Sequence, residues 1–345
     1  MSPEPEIAVV VGAYARTEFL RSAVRSLLGQ TLARDRFEIV VTKNFRDAPL
    51  DAELSAAGAQ VLFDEEPQIG RWLRRAVRAT RAPWVTFLDD DDEYDPGRLA
   101  RLLEVVGRYP ALGLYRNRVT VIDRTGGPIP SERWRRHETD AGFDALGPVY
   151  VPPDGKADLF ELATQRSFAT FNSSTMAIRR DLLEGPLGDA FEGTRIPDTF
   201  LFLIGAIAPA GLFLDDRRLT RFRYYGASVT SEVRWYGHAT VSEAEMARVA
   251  DRYHEPRWAA WFRELSVHHD RMLRGGTLME RIAAGAGRSE VGRLAREYFR
   301  YLGDHPGERR PTVDTWAAGL YGLGYVVAPG TVRSVARARI TAGRE

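Results

Sequence analysis

A chain of 345 residues that is 44% hydrophobic and 28% charged has enough apolar content for one large domain or two, and too much for a disordered chain. Its 48 Lys and Arg almost balance its 47 Asp and Glu, and the net charge of +1 removes the electrostatic case for a nucleic-acid partner. There is no cysteine, which excludes disulfides, cysteine-held metals and thiol catalysis. The opening Met1-Ser2-Pro3-Glu4-Pro5-Glu6 is acidic and broken by proline, unlike a signal peptide, and no apolar segment has the length to span a bilayer. A cytoplasmic protein is expected, with peripheral contact to the cytoplasmic membrane face as an option.

Ile7 to Val11 predicts a first strand, ended by Gly12-Ala13. Glu18 to Leu28 carries Phe19, Leu20, Ala23, Val24, Leu27 and Leu28 at helical spacing, with Thr17 as N-cap. Phe37 to Val41 predicts a second strand before a polar break at Lys43-Asn44, and Gln60 to Phe63 a short third. Ile69 to Ala79 predicts a basic helix carrying Arg71, Arg74, Arg75 and Arg78, and Trp84 to Leu88 a buried strand that runs into Asp89-Asp90-Asp91-Asp92. This alternation predicts an α/β fold with a mainly parallel sheet.

Four carboxylates at the carboxyl end of such a strand sit where open α/β sheets bind ligands. Packed like charges repel, and a divalent cation relieves them; Mg²⁺ is commonly held by one or two carboxylates together with substrate phosphates. The stretch therefore points to a metal–diphosphate site. The alternative is a solvated acidic turn, or a cap for a helix starting near Pro96-Gly97-Arg98-Leu99.

Leu102 to Val106 predicts a helix, Gly113 to Ile122 a strand, and residues 124 to 157 a long loop. Phe168 to Ile178 predicts a strand leading into a helix, and Pro197-Asp198 a helix start. From about residue 240 the chain is expected to be helical. Ser242 with Glu245 and Thr277 with Glu280 have capping-box spacing, while Gly275-Gly276 and Gly285 to Gly287 read as helix stops. Trp258, Trp261, Phe262 and Leu265 form a stripe suited to core packing. Trp316 to Val327 with Arg333, Arg337, Arg339 and Arg344 reads as a packed terminal helix with a wet basic face, or as an interfacial anchor with arginines on anionic headgroups.

The order of these segments resembles the nucleotide-sugar-dependent family 2 glycosyltransferases. The resemblance runs through Val9-Val10-Val11-Gly12-Ala13-Tyr14-Ala15-Arg16, Phe19-Leu20, Ser26-Leu27-Leu28-Gly29-Gln30-Thr31, Phe37-Glu38-Ile39-Val40-Val41 and Ile69-Gly70 to Phe87-Leu88-Asp89-Asp90-Asp91-Asp92. It implies a GT-A fold over residues 1–232, with a nucleotide-sugar-binding half (1–110) and an acceptor half (111–232), followed by a helical region, 233–345. Asp89-Asp90-Asp91 looks like the family's Asp-x-Asp motif. By that likeness Asp89 faces the ribose or metal, Asp91 binds the metal, Asp90 belongs to the donor site and Asp92 lies close to the donor sugar. Ala13, Tyr14 and Arg16 match the segment beside the base and phosphates, with Ala15 departing from the family's asparagine.

Gly70 and Arg71 or Arg74, at the start of the basic helix, are implied near the diphosphate, where guanidinium forks suit phosphate; the plain reading of these arginines is the solvated face of the helix. Lys43 and Asn44 stand where the family usually recognises the base with aspartate. A lysine cannot accept the imide hydrogen of uracil, so the base is left open, although Asn44 is able to pair with a base edge. Phe171 to Arg180 resembles the strand flooring the donor-sugar pocket, and the 124–157 loop is implied to cover the acceptor.

Asp198 matches the general base, with Pro197 replacing the usual glutamate; the plain reading of Asp198 is a helix cap. The family's histidine near Tyr225 is missing. His238 is a candidate substitute as third metal ligand, or a lone surface histidine. The resemblance thus implies inverting transfer from a nucleotide-sugar donor to a saccharide, lipid-linked or small-molecule acceptor, with Mn²⁺ or Mg²⁺ as cofactor. A degenerate relative that binds a nucleotide or partner without transfer is the alternative. A haloacid-dehalogenase-like phosphatase is disfavoured by Glu93 and the late position of the motif, and a nicotinamide dehydrogenase by the missing Gly-x-Gly-x-x-Gly.

Overall fold

In the computed structural model, which describes residues 4–14, 16–129, 148–156, 159–161, 164, 170–225, 233–305 and 313–342, the apolar runs of the first ninety residues form strands. β1 (Ile7–Ala13), β2 (Phe37–Lys43), β3 (Ala59–Phe63) and β4 (Trp84–Asp89) lie parallel in the order β3-β2-β1-β4. Successive side chains of a strand point to opposite faces. On one face of β1, Val9 and Val11 join Leu20, Ala23, Val24 and Leu27 of α1 (Leu20–Leu28) in the main core. On the other, Gly12 leaves room for the indole of Trp72, on α3 (Ile69–Arg78). Burial on both faces explains the near-continuous apolar run.

Two local readings change. α1 begins at Leu20 with Phe19 at the N-cap and no side-chain cap bond, so Thr17 is not its cap. A helix absent from the sequence reading, α2 (Ala48–Ala56), joins β2 to β3. Asp47 caps it, accepting from Leu50 N at 3.1 Å, and a proline lies in its first turn. It buries Leu50 and Leu54, too few residues to give a visible period.

β5 (Glu93–Tyr94), α4 (Arg98–Arg108), β6 (Leu112–Ile122) and β7 (Val149–Val151) follow. Then come β8 (Met176–Arg179), the short helices α5 (Asp181–Glu184) and α6 (Pro186–Phe191), α7 (Pro197–Ile207) and β9 (Gly211–Arg223). β8 lies between β4 and β6, antiparallel to both, and β9 runs parallel to β6 with three register shifts. β5 and β7 pair antiparallel with β9. The sheet is mixed, and its four longest ladders are parallel. As a result the carboxyl ends of β1, β4, β6 and β9 share one edge with the amino end of β8.

The strand expected over Phe168 to Ile178 begins only at Met176. Residues 165–169 lie outside the described residues, and Ser173–Thr175 form one 3₁₀ turn. Of the loop expected over 124–157, residues 130–147 lie outside the described residues. In its described part, Lys156 Nζ donates to Gly205 O at 2.8 Å and to Ala208 O, closing the carboxyl end of α7.

Gly70 fixes how α3 meets the segment after α6. Its N–H donates to Thr194 O at 3.1 Å, and a Cβ at this position would lie 2.1 Å from Phe191 O. Backbone on backbone leaves no flexible side chain to give way. Gly70→Ala is expected to destabilise the fold by about 1–3 kcal/mol despite alanine's better helix propensity. An unchanged urea midpoint would show that the two segments are not held this closely.

The chain divides into two compact units, Met1–Tyr225 with Val249–Arg257, and Gly226–Arg248 with Trp258–Glu345. The described helices after residue 232 are α8 (Val233–Arg252), α9 (Pro256–Ala284), α10 (Arg288–Asp304), α11 (Val313–Val327) and α12 (Pro329–Ala342). Ser242 and Glu245 lie inside α8, and Gly275, Gly276, Thr277 and Glu280 inside α9, so neither capping box starts a helix. The glycine pair serves packing instead: a Cβ on Gly276 would lie 2.8 Å from Val233 Cγ2. Gly285, at φ +81°, follows the end of α9 in the left-handed conformation common at helix ends.

Arg333 donates to Ala283 O at 3.2 Å and Ala284 O at 3.3 Å, and Arg337 to Ala283 O at 3.0 Å. These two guanidinium groups cap α9 while Arg337 stays exposed; the side chains of Arg339 and Arg344 lie outside the described residues. Among the described residues no helix is long and apolar enough to cross a membrane.

Candidate active site

β4 delivers the acidic turn to the shared sheet edge. Gly12 on β1 is the ladder partner of Asp89, and Asp90 N donates to Gly12 O at 3.1 Å. The chain then reverses, with Asp92 N on Asp89 O at 3.1 Å. This places the four carboxylates differently. Asp90 and Asp92 turn inward and are 2% and 1% exposed, whereas Asp89 is exposed and Asp91 half-buried.

Asp92 accepts from Asn172 Nδ2 at 2.8 Å and Arg223 N at 3.0 Å. Asp90 is ion-paired with Arg16 Nη2. Asp91 Oδ2 takes Arg16 Nη1 at 2.7 Å and the Tyr225 hydroxyl at 2.9 Å. Asp89 N donates to Ser174 Oγ at 3.0 Å, and Ser173 Oγ donates to the Asp89 carboxylate at 3.2 Å.

Burial pushes Asp90 up to about 7, with Arg16 opposing and Asp91 adding to the rise. Burial and the charge of Asp91 likewise raise Asp92 to about 7. Enclosure by protein raises Asp89 too, followed by the charges of Asp92, Asp91, Asp90 and Asp198. Because Asp89 itself is exposed, water screens part of that rise. Loss of water opposes the charge on Arg16, but Asp90 and Asp91 outweigh it and raise its pKa.

The donor set suits a hard divalent cation. Carboxylate oxygens of Asp89, Asp91 and Asp92 lie within 4.8 Å of one another, and oxygen donors are what Mg²⁺ and Mn²⁺ take. Beside them, the buried Asp90 Oδ2 has no close hydrogen-bond partner among the described residues.

Asp198 comes to the same edge from the first turn of α7, behind Pro197. Its Oδ1 accepts from Thr199 N at 2.8 Å and its Oδ2 from Asn172 N at 3.1 Å. Burial raises its pKa, and these backbone donors oppose the rise. Asn172 is therefore common to both carboxylates: its side chain holds Asp92 and its peptide N–H holds Asp198. Its Oδ1 also accepts from Ser174 N at 2.7 Å, capping the 3₁₀ turn. It adopts φ 64°, uncommon for a residue with a side chain and most tolerated by asparagine. Asn172 and Tyr225 are the residues whose contacts the sequence reading missed. An asparagine ahead of Ser173-Ser174-Thr175 was the available signal for the first.

Arg16, Asp89, Asp90, Asp91, Asp92 and Asp198 thus converge. Ala13 is buried at the end of β1, and Tyr14 is 56% exposed beside it. Three expected donor contacts turn elsewhere. Lys43 is fully buried, with Nζ 2.8 Å from Asp51 of α2 and donating to Phe45 O. Arg74 is buried between Asp189 at 2.6 Å and Glu192 at 3.0 Å. Gly70 spends its N–H on Thr194, as above. Arg71 remains exposed, 3.7 Å from Glu66, and Asn44 is half-buried. Ala15 lies outside the described residues, and His238 belongs to α8 in the other compact unit.

The model of the family described as Glycosyl transferase family 2 matches residues 8–184 of the 345. The chain belongs to this family. The matched segment of this family 2 glycosyltransferase holds Tyr14, Arg16, the acidic turn and Asn172; Asp198 and Tyr225 lie beyond it. No curated protein matches the chain. Among solved structures, S. aureus TarS 1–349 is 14% identical with a TM-score of 0.51, covering 98% of this chain and 89% of its own. The same protein in complex with UDP-GlcNAc is 13% identical with a TM-score of 0.55, covering 96% and 92%. The form in complex with UDP gives 14% and 0.53, covering 98% and 89%. At such identity the likeness is one of fold.

Proposed function

We propose that this glycosyltransferase moves a sugar from a nucleoside-diphosphate donor to an acceptor hydroxyl with inversion, with Asp198 as general base and Asp89, Asp91 and Asp92 holding Mn²⁺ or Mg²⁺. The observation that carries the reading is Asn172, which binds the acidic turn and Asp198 at once and so supports their acting on one substrate pair. The TarS complexes with UDP-GlcNAc and UDP support a nucleotide-sugar donor.

Asp198 would take the acceptor proton as the hydroxyl oxygen forms its bond to the anomeric carbon and the bond from that carbon to the diphosphate oxygen breaks. The cation, when bound, supplies Lewis-acid charge for the leaving diphosphate. The exposed ring of Tyr14 offers a stacking face for the base, and Arg16 a guanidinium for the phosphates. With Lys43 turned inward, Asn44 is the remaining polar side chain of that pair for the base edge. A saccharide, lipid-linked or small-molecule acceptor fits this chemistry. For contact with a membrane face, the support is the exposed Leu320, Leu323 and Val327 at one-face spacing on α11.

Incubation with a panel of nucleotide-sugars and Mn²⁺ tests the reading. Slow release of nucleoside diphosphate is expected from at least one donor, and chelation of the metal should stop it. Nucleotide binding without any release would favour the non-catalytic alternative.

A further inference from the structure

Arg16 does something in this structure that phosphate binding does not explain. Its guanidinium spans two carboxylates with one nitrogen on each, Nη2 on Asp90 and Nη1 on Asp91 at 2.7 Å. The Tyr225 hydroxyl closes on the same Asp91 oxygen at 2.9 Å, and Arg16 Nη1 also donates to that hydroxyl. Asp91 is one of the three residues whose oxygens cluster as candidate cation ligands.

Mg²⁺ sits about 2.0–2.1 Å from its oxygens, inside the distance at which the guanidinium holds Asp91. A cation on either oxygen of this carboxylate would lie within a few ångströms of the guanidinium, where two positive charges repel strongly. Asp90 is in a different position. It is 2% exposed with Arg16 as its ion-pair partner, and stripping a buried charge of its partner is costly. Nη1 is therefore the group able to let go while Nη2 stays anchored.

We propose that Arg16 is a built-in competitor of the divalent cation: anchored on Asp90, it occupies Asp91 and must release it before the cation can bind there. The inference rests on the metal–diphosphate reading above. The released end of the guanidinium is left beside the cation's place, where phosphate oxygens bridging to the cation would give it a new partner. Cation binding without phosphate is thereby opposed, and cation binding with phosphate is not. Because binding free energies are reciprocal, the donor's affinity rises by the same factor when the cation is present.

The test is Mn²⁺ titration without nucleotide, reading free Mn²⁺ by electron paramagnetic resonance, on the wild type and on Arg16→Gln, Arg124→Gln and Asp91→Asn. Arg124 is the control for bulk charge: it is an exposed arginine beside the Tyr225 ring, ion-paired with Glu18 and touching none of the aspartates. Arg16→Gln is expected to bind Mn²⁺ about tenfold tighter than the wild type, within the usual span of coupled sites. Arg124→Gln should stay within about twofold, and Asp91→Asn should lose binding. Should Arg16→Gln fail to fold, Arg16→Lys replaces it; one ammonium cannot span both carboxylates, so Mn²⁺ binding should again tighten. Equal or weaker binding by the Arg16 variant, or an equal gain in Arg124→Gln, overturns the competition while binding that depends on Asp91 leaves the metal site standing. Absence of Mn²⁺ binding in every variant overturns both.

Discussion

Asp198→Asn is expected to cut the rate of transfer by about 10²–10⁴-fold while leaving donor binding near the wild-type value. The variant keeps the size of the side chain and one oxygen for Thr199 N or Asn172 N, so α7 should keep its start. What it loses is the ability to take a proton. Single-turnover rates with saturating donor, alongside donor-induced thermal shift, separate the two effects. Undiminished turnover would remove Asp198 from the role of base. The pH profile gives a second view. A base must be deprotonated, and burial raises the pKa of Asp198. Activity should therefore be present at higher pH and fall away as pH drops through a value above the ordinary carboxylate range. In the asparagine variant the residual rate should lack that limb.

Asp91→Ala carries the other large effect. Loss of a residue that merely orients a metal ligand costs about 10–100-fold in affinity, so loss of a ligand should cost at least about 100-fold in Mn²⁺-dependent nucleotide binding. Calorimetry with Mn²⁺ and nucleoside diphosphate measures it directly. Full affinity in the variant would show that the cation is held elsewhere. The fold should survive, because the side chain is part-exposed and its bonds are to Arg16 and Tyr225 rather than to the core.

Both predictions concern residues that sequence could locate. β1 through β4 are runs of Val, Ile, Leu, Phe and Trp long enough to be strands, and ligand sites form at the carboxyl ends of such strands, so the acidic turn announced itself. Asp198 followed a proline at a helix start. What sequence could not supply was direction. Lys43 occupies the expected strand end, yet its partner Asp51 sits on α2, a helix too weakly patterned to be seen. Arg74 looked like one more cation on a basic helix, while the carboxylates that bury it, Asp189 and Glu192, come more than a hundred residues later. The helical region failed differently. Gly275 and Gly276 resemble a stop, but contacts across helices outweigh the propensity cost of a glycine inside α9. Asn172 carried a local signal, hidden because Phe168 to Ile178 looked like an unbroken strand.

The left-handed turn at Asn172 has a consequence for how such an enzyme changes substrate. The side-chain amide of Asn172 is held on both sides, its Oδ1 by Ser174 N and its Nδ2 by Asp92, so its two side-chain torsions are restrained and its separation from the N–H of the same residue varies little. The distance between Asp92 and Asp198 behaves like a fixed gauge, set by a single amino acid rather than by two independent loops. New acceptors must fit that gauge. Variation in what is glycosylated should accordingly accumulate in positions lining the approach, with Asn172 tolerating almost no replacement.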